Sequence, residues 1–232
     1  RFRGNAYYQQ GEVSIALRQI SSEIRSLEEL GLPEMLETFS KRQQGFFLVV
    51  GPTGHGKSTT LATLIDLINQ NRTEHIVTIE DPLEFVFTQK QSIIDQREVG
   101  FDTRGFATAL RSAFRQDIDV LMIGEMRGPE TMETAITAAE TGHLVFSTLH
   151  TNNASQTIDR IIDTFSGDKQ KQIRTQLAGS LTGIFSQRLI PSVSGGRVPA
   201  YELLINTPAV SNLIREGRIH EIDSFIETSS QH

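Results

Sequence analysis

Cysteine is absent from the 232 residues, so the chain can form neither a disulfide nor a thiolate zinc site, which fits a reducing cytosol. No apolar run approaches the ~20 residues that a bilayer-crossing helix needs. Positive charge is not in excess either. Lysine and arginine number 22 against 28 aspartates and glutamates, and a net charge of −6 gives no overall basic field to recruit nucleic acid. Internal repeats and low-complexity tracts are missing. No signal peptide is visible, but arginine stands first, and the chain is expected to begin inside a larger protein. What remains, 38% hydrophobic and 22% charged, is a globular composition long enough for one domain or one and a half.

One stretch organises the rest. Phe46 to Val50 is a five-residue apolar run that predicts a fully buried strand. A glycine-rich turn follows, and Leu61, Leu64, Ile65 and Ile68 then recur with helical period. Strand, turn and helix are the context that the pattern G-x-x-x-x-G-K-[ST] must have, and Gly51, Gly56, Lys57 and Ser58 satisfy it. Glycines let backbone N–H groups curl around an oxyanion, and a helix starting near Ser58 points its positive end at the same place. Pro52, Thr53, Gly54, His55 and Thr59 complete the candidate phosphate-binding set. Lys57 is expected to reach the β- and γ-phosphates of ATP and Ser58 to ligate Mg²⁺.

Before that stretch, residues 1–8 and 13–20 alternate like two strands around a turn at Gln10-Gly11. Two strands with so little core read as the tail of a preceding domain. A polar linker covers 21–26, and Leu27 to Phe39 predicts one or two short helices broken at Gly31-Leu32-Pro33. After it, strands are predicted at 75–79, 120–123 and 143–150, with helices at 106–114 and 129–141. Ile173 to Leu189 reads as a long helix ended by Pro191, and Gly195-Gly196 as a turn into Val198 to Ile205. Thr207-Pro208 opens a last helix as N-cap and N1. Strands alternating with helices predict an α/β fold with a mostly parallel sheet.

Acidic residues fall at the strand ends, where ligands sit in such sheets. Glu125 closes the 120–123 strand in the manner of a Walker B acid, with Gly124 where many nucleoside triphosphatases place an aspartate. Glu80, Asp81 and Glu84 follow the 75–79 strand. Any of the three could orient the water that attacks a γ-phosphate, and spacing leaves that choice open. By themselves His143 and His150 read as ordinary strand-end histidines.

Four ordered segments go further: residues 51–60, 78–85, 124–127 and 139–151. The chain resembles the secretion ATPase superfamily, and within it the type IV pilus retraction ATPases of twitching motility. The resemblance implies a RecA-like P-loop domain preceded by the C-terminal end of a PAS-like N-terminal domain, in a homohexamer. It divides the chain into 1–20 (PAS-like tail), 21–44 (linker and short helices), 45–190 (ATPase core) and 191–232 (C-terminal hairpin and helical segment). It also selects Glu84 as the catalytic carboxylate, Glu125 as the Mg²⁺-associated acid, His143 and His150 as the His-box pair, and Arg3 and Arg18 as arginines serving the nucleotide. His55 departs from the family's usual serine. Residues 209–216 match a signature tied to retraction, except at Val210 and Ser211. Expected partners are an inner-membrane platform protein and a paralogous ATPase, at the cytoplasmic face of the inner membrane, without nucleic acid. Two rivals are a pilus assembly or type II secretion ATPase, which usually carries a four-cysteine zinc element, and a regulatory subunit that binds ATP without hydrolysing it.

Overall fold

The computed structural model describes residues 2–229. The chain opens with an antiparallel hairpin of β1 (Phe2–Gln9) and β2 (Glu12–Gln19). Gln10 and Gly11 both take positive φ, 53° and 85°, as a tight turn between twisted strands demands. Phe2, Tyr8, Val13, Ile15 and Leu17 share one face of this hairpin and are exposed. Arg3 and Arg18, paired in register, share the other. Residues 22–26 carry no regular structure. Of the short helices expected over 27–39, the first is only a hydrogen-bonded turn, Leu32 N–H donating to the Leu27 carbonyl at 2.9 Å. Beyond Pro33 a 3₁₀ turn at Glu34–Leu36 runs into α1 (Glu37–Ser40).

A seven-stranded sheet forms the centre. β3 (Gly45–Val50) is buried at every residue because helices cover both faces, which is why its sequence is continuously apolar. Parallel to it run β4 (His75–Glu80), β5 (Ile93–Glu98), β6 (Val120–Ile123), β7 (Leu144–Leu149) and β8 (Leu181–Pro191); β9 (Arg197–Ile205) returns antiparallel to β8. The order across the sheet is β5-β4-β6-β7-β3-β8-β9. On one face α1 and α2 (Lys57–Asn71) pack against Phe47, Val49, Ile76 and Phe146. The other carries α3 (Phe106–Ala113), α4 (Pro129–Glu140), α5 (Ala154–Asp163), α6 (Gly167–Ser180), α7 (Pro208–Glu216) and α8 (Glu221–Ser229), gathered on Phe46, Leu48, Val77, Leu121 and Val145.

Three differences from the sequence reading matter. The long helix expected over 173–189 ends at Ser180, and 181–191 is β8, the neighbour of the phosphate-loop strand. Leu181 to Gln187 is apolar enough to be buried in either form, and only pairing with β3 and β9 decides it. The hairpin turned at Gly195-Gly196 is therefore an extension of the main sheet. β5 and α5 are additional elements; β5, an edge strand with the sequence Ile-Ile-Asp-Gln-Arg-Glu, is too polar to announce itself.

Candidate functional site

Because β3, β4, β6 and β7 are parallel, their carboxyl ends meet at one end of the sheet, and a cavity of about 660 Å³ opens there. Its floor is the loop between β3 and α2. Gly51, Gly54 and Gly56 take φ of 143°, 78° and 86°, values that other residues rarely adopt. At Gly51 a β-carbon would stand 2.2 Å from the Gln187 carbonyl oxygen, so glycine alone lets the loop pass beneath β8. Gln187 then braces the loop: Thr60 Oγ1 donates to its Oε1 at 2.6 Å, and its Nε2 donates to the His55 carbonyl at 3.0 Å. The His55 ring is turned the same way, its Nδ1 accepting the Leu189 N–H at 3.0 Å.

Lys57, buried at the start of α2, donates to the carbonyls of Gly51 (2.8 Å) and Pro52 (2.9 Å) and lies 3.3 Å from His150 Nδ1. Burial lowers its pKa, while the charges of Glu84 and Glu125 pull it back up. An ammonium only donates, so Nδ1 accepts and the ring proton sits on Nε2, 3.7 Å from Glu125 Oε2. Burial, and then the Lys57 charge, hold the His150 pKa below its ordinary value. Glu125 is fixed from β7: Ser147 Oγ donates to the Ile123 carbonyl at 2.8 Å and Thr148 Oγ1 to that of Gly124 at 2.6 Å. The exposed Arg127 guanidinium pairs with Glu125.

The three acids after β4 have different surroundings. Glu80 is buried, accepts the Thr78 hydroxyl at 2.7 Å, and is pushed by burial up to about 7. Asp81 and Glu84 are exposed and line the cavity. Thr53, Gly54, Gly56, Lys57, Ser58, Thr59, Glu125, His150 and Arg18 line it too. Gly51, Pro52 and His55 do not, the first two giving their carbonyls to Lys57. Arg3 also stands outside, 3.7 Å from Glu98. His143 lies just before β7, at the far end of the sheet, with Nδ1 3.0 Å from the Ala138 carbonyl and its ring edge-on to Phe114. Arg25, Glu29 and Arg197, which belong to no sequence motif, also join the lining. Arg25 sits in a featureless polar linker, so nothing local marks it.

Among the described residues no cluster of three or more histidine, aspartate or glutamate side chains is placed to hold a metal. The Ser58 hydroxyl and Glu125 carboxylate are nevertheless hard oxygen donors that both line the cavity. That set fits Mg²⁺, which is usually held by one or two protein oxygens together with phosphate and water.

Residues 8–196 match the family described as Type II/IV secretion system protein. Over 228 residues the chain is 49% identical to the type IV pilus retraction ATPase PilT of Pseudomonas aeruginosa, covering 98% of this chain and 66% of that protein. It is 50% identical to a twitching motility protein of Neisseria gonorrhoeae, covering 98% and 61%. A crystal structure of the pilus retraction motor PilT with bound ADP superposes with a TM-score of 0.95 at 55% identity, over 98% of this chain and 66% of that one. The chain thus spans just under two thirds of the length of these relatives.

Proposed function

The chain belongs to the Type II/IV secretion system protein family, and from that premise we propose that it is the motor part of a Mg²⁺-dependent ATPase that powers type IV pilus retraction. The observation that carries this reading is the meeting, in one cavity, of the phosphate loop with Lys57, Glu84 and Glu125. In the proposed reaction the loop's N–H groups and the Lys57 ammonium hold the β- and γ-phosphates. Ser58 and Glu125 would hold Mg²⁺, which neutralises developing charge on the phosphate oxygens. Glu84 orients water and takes its proton as the oxygen attacks the γ-phosphorus. The bond to the bridging oxygen breaks, and ADP and phosphate leave. Neutral His150, between Lys57 and Glu125, keeps those two groups apart without adding a charge.

The exposed apolar face of the β1–β2 hairpin supports the reading that these strands end a PAS-like domain, whose remainder would cover Phe2, Tyr8, Val13, Ile15 and Leu17. Arg18 would then serve the nucleotide from its own chain. We place the assembled protein, a homohexamer by family resemblance, against a platform protein at the cytoplasmic face of the inner membrane, with a paralogous ATPase as a further partner. Among the described residues no helix is long and apolar enough to cross a membrane itself.

Phosphate release and ADP binding test the chemistry. Lys57→Ala loses nucleotide binding, because nothing else in the loop carries its charge. Glu84→Gln still binds ADP and hydrolyses ATP at a rate lower by roughly 10²–10⁴-fold, the usual worth of a general base. Near-normal release from Glu84→Gln, with loss in Asp81→Asn, would move the base to Asp81.

A further inference from the structure

Glu84 sits on a segment, residues 81–87, that belongs to no helix or regular strand. A carboxylate that orients water must nevertheless be held in place. The support comes from a residue outside every motif, Gln96 of β5. Period-2 alternation puts Ile94, Gln96 and Glu98 on one face of β5, the face whose Ile94 packs into the α2-side core. An amide there needs partners, and Gln96 uses both of its ends. Its Oε1 accepts the Phe87 N–H at 2.9 Å, and its Nε2 donates to the Phe85 carbonyl at 2.9 Å. The same Nε2 lies 3.4 Å from Glu80 Oε1. One side chain thus ties the chain directly after Glu84 to the buried acid at the end of β4. From the other side the Val86 N–H reaches the Ser21 carbonyl of the linker at 3.0 Å.

We propose that Gln96 is a positioning residue for Glu84: its paired hydrogen bonds to Phe85 and Phe87 set where the Glu84 carboxylate stands over the cavity. The proposal rests on the reading of Glu84 as the water-orienting group. Its signature is a split between binding and turnover, since the phosphate loop is braced independently by Gln187 and does not touch Gln96.

The test uses the full-length protein and the variants Gln96→Met, which keeps shape without hydrogen bonds, and Gln96→Glu, which keeps only the acceptor for Phe87. For Gln96→Met, kcat should fall by on the order of 10–10²-fold, the cost of misplacing a catalytic group by about an ångström, with ADP affinity unchanged. Gln96→Glu should fall at least as far, because it turns a carboxylate oxygen toward the Phe85 carbonyl and Glu80 Oε1. In a Glu84→Gln background Gln96→Met should cost nothing further, because no carboxylate remains to be positioned. Unchanged kcat in Gln96→Met, or the same fold-loss with and without Glu84, overturns the proposal. If Gln96→Met does not fold, Gln96→Glu decides alone: reduced kcat at unchanged ADP affinity supports the proposal, and unchanged kcat or a parallel loss of affinity overturns it. Full activity in Glu84→Gln itself would instead remove the underlying reading of Glu84.

Discussion

Glu80 and Glu84 lie on the same turn of chain and both line the cavity, yet Glu80 is buried in its wall while Glu84 stands exposed. Burial costs a carboxylate its hydration, and the Thr78 and Gln96 hydrogen bonds return only part of that, so the Glu80 pKa rises from 4.5 to about 7. The sign for stability follows directly. Between those values the folded chain holds a proton that the unfolded chain releases, so stability from Glu80 is present below pH 4.5 and lost as pH rises through 7. The full difference is worth on the order of 3 kcal/mol. Glu80→Gln, similar in shape and always neutral, is therefore expected to raise the thermal midpoint clearly at pH 8 and hardly at pH 5. Calorimetry at both pH values checks this. An equal change at the two would mean that the charge on Glu80 is not what burial penalises.

At the scale of elements, β8 is where helix and strand compete most closely. Two glycines separate the possibilities. Gly179 lies in α6 with nothing within 4 Å of the position a β-carbon would take, so Gly179→Ala should be neutral or stabilising by up to ~1 kcal/mol. Gly183 lies in β8, where a β-carbon would stand 2.8 Å from the Leu204 carbonyl oxygen and 2.9 Å from the Phe39 ring. Gly183→Ala should destabilise by roughly 1–3 kcal/mol, the usual cost of overfilling a packed site. Urea titrations of the two variants decide it, because a helix running through both positions would make both substitutions favourable.

The molecule as a whole has two working ends. The phosphate-loop cavity opens at the carboxyl ends of the parallel strands, and α7 lies at the other end, roughly 20 Å away along the six-residue β3. There a second cavity is lined by Arg42, Thr182 and Asn206 together with Ser211, Asn212 and Arg215 of α7. Val210 and Ile214 anchor that helix in the core, and Thr207 caps it. Asn212 and Arg215 are exposed and hydrogen-bonded to each other at 2.6 Å. Neither lines the phosphate-loop cavity. Asn212→Ala combined with Arg215→Ala is expected to leave ATP hydrolysis near normal while abolishing pilus retraction in cells. Purified phosphate release and surface pilus retention on the same variant measure both. Loss of hydrolysis as well would put α7 in the motor core, and normal retraction would make it a structural cover.

What the sequence determined by itself is whatever neighbouring residues encode together. The strand–loop–helix around Gly51 to Ser58 was legible because apolar run, glycine spacing and helical period all lie within about twenty-five residues. So were the helices at 106–113, 129–140 and 208–216, whose apolar periods or proline starts are local. The tertiary structure decided what depends on neighbours distant in the chain. Leu181 to Gln187 became strand because β3 and β9 offered backbone partners on both sides. Polar β5 became strand because β4 offered one. Spacing could not choose among Glu80, Asp81 and Glu84; the fold brought all three to the cavity but buried the first and left the other two exposed. It likewise placed His150 beside Lys57 and His143 at the opposite end of the same strand, since one strand carries its two ends to opposite edges of the sheet. Gln96 had no local mark at all, because its partners at Phe85 and Phe87 meet it only once β5 has docked.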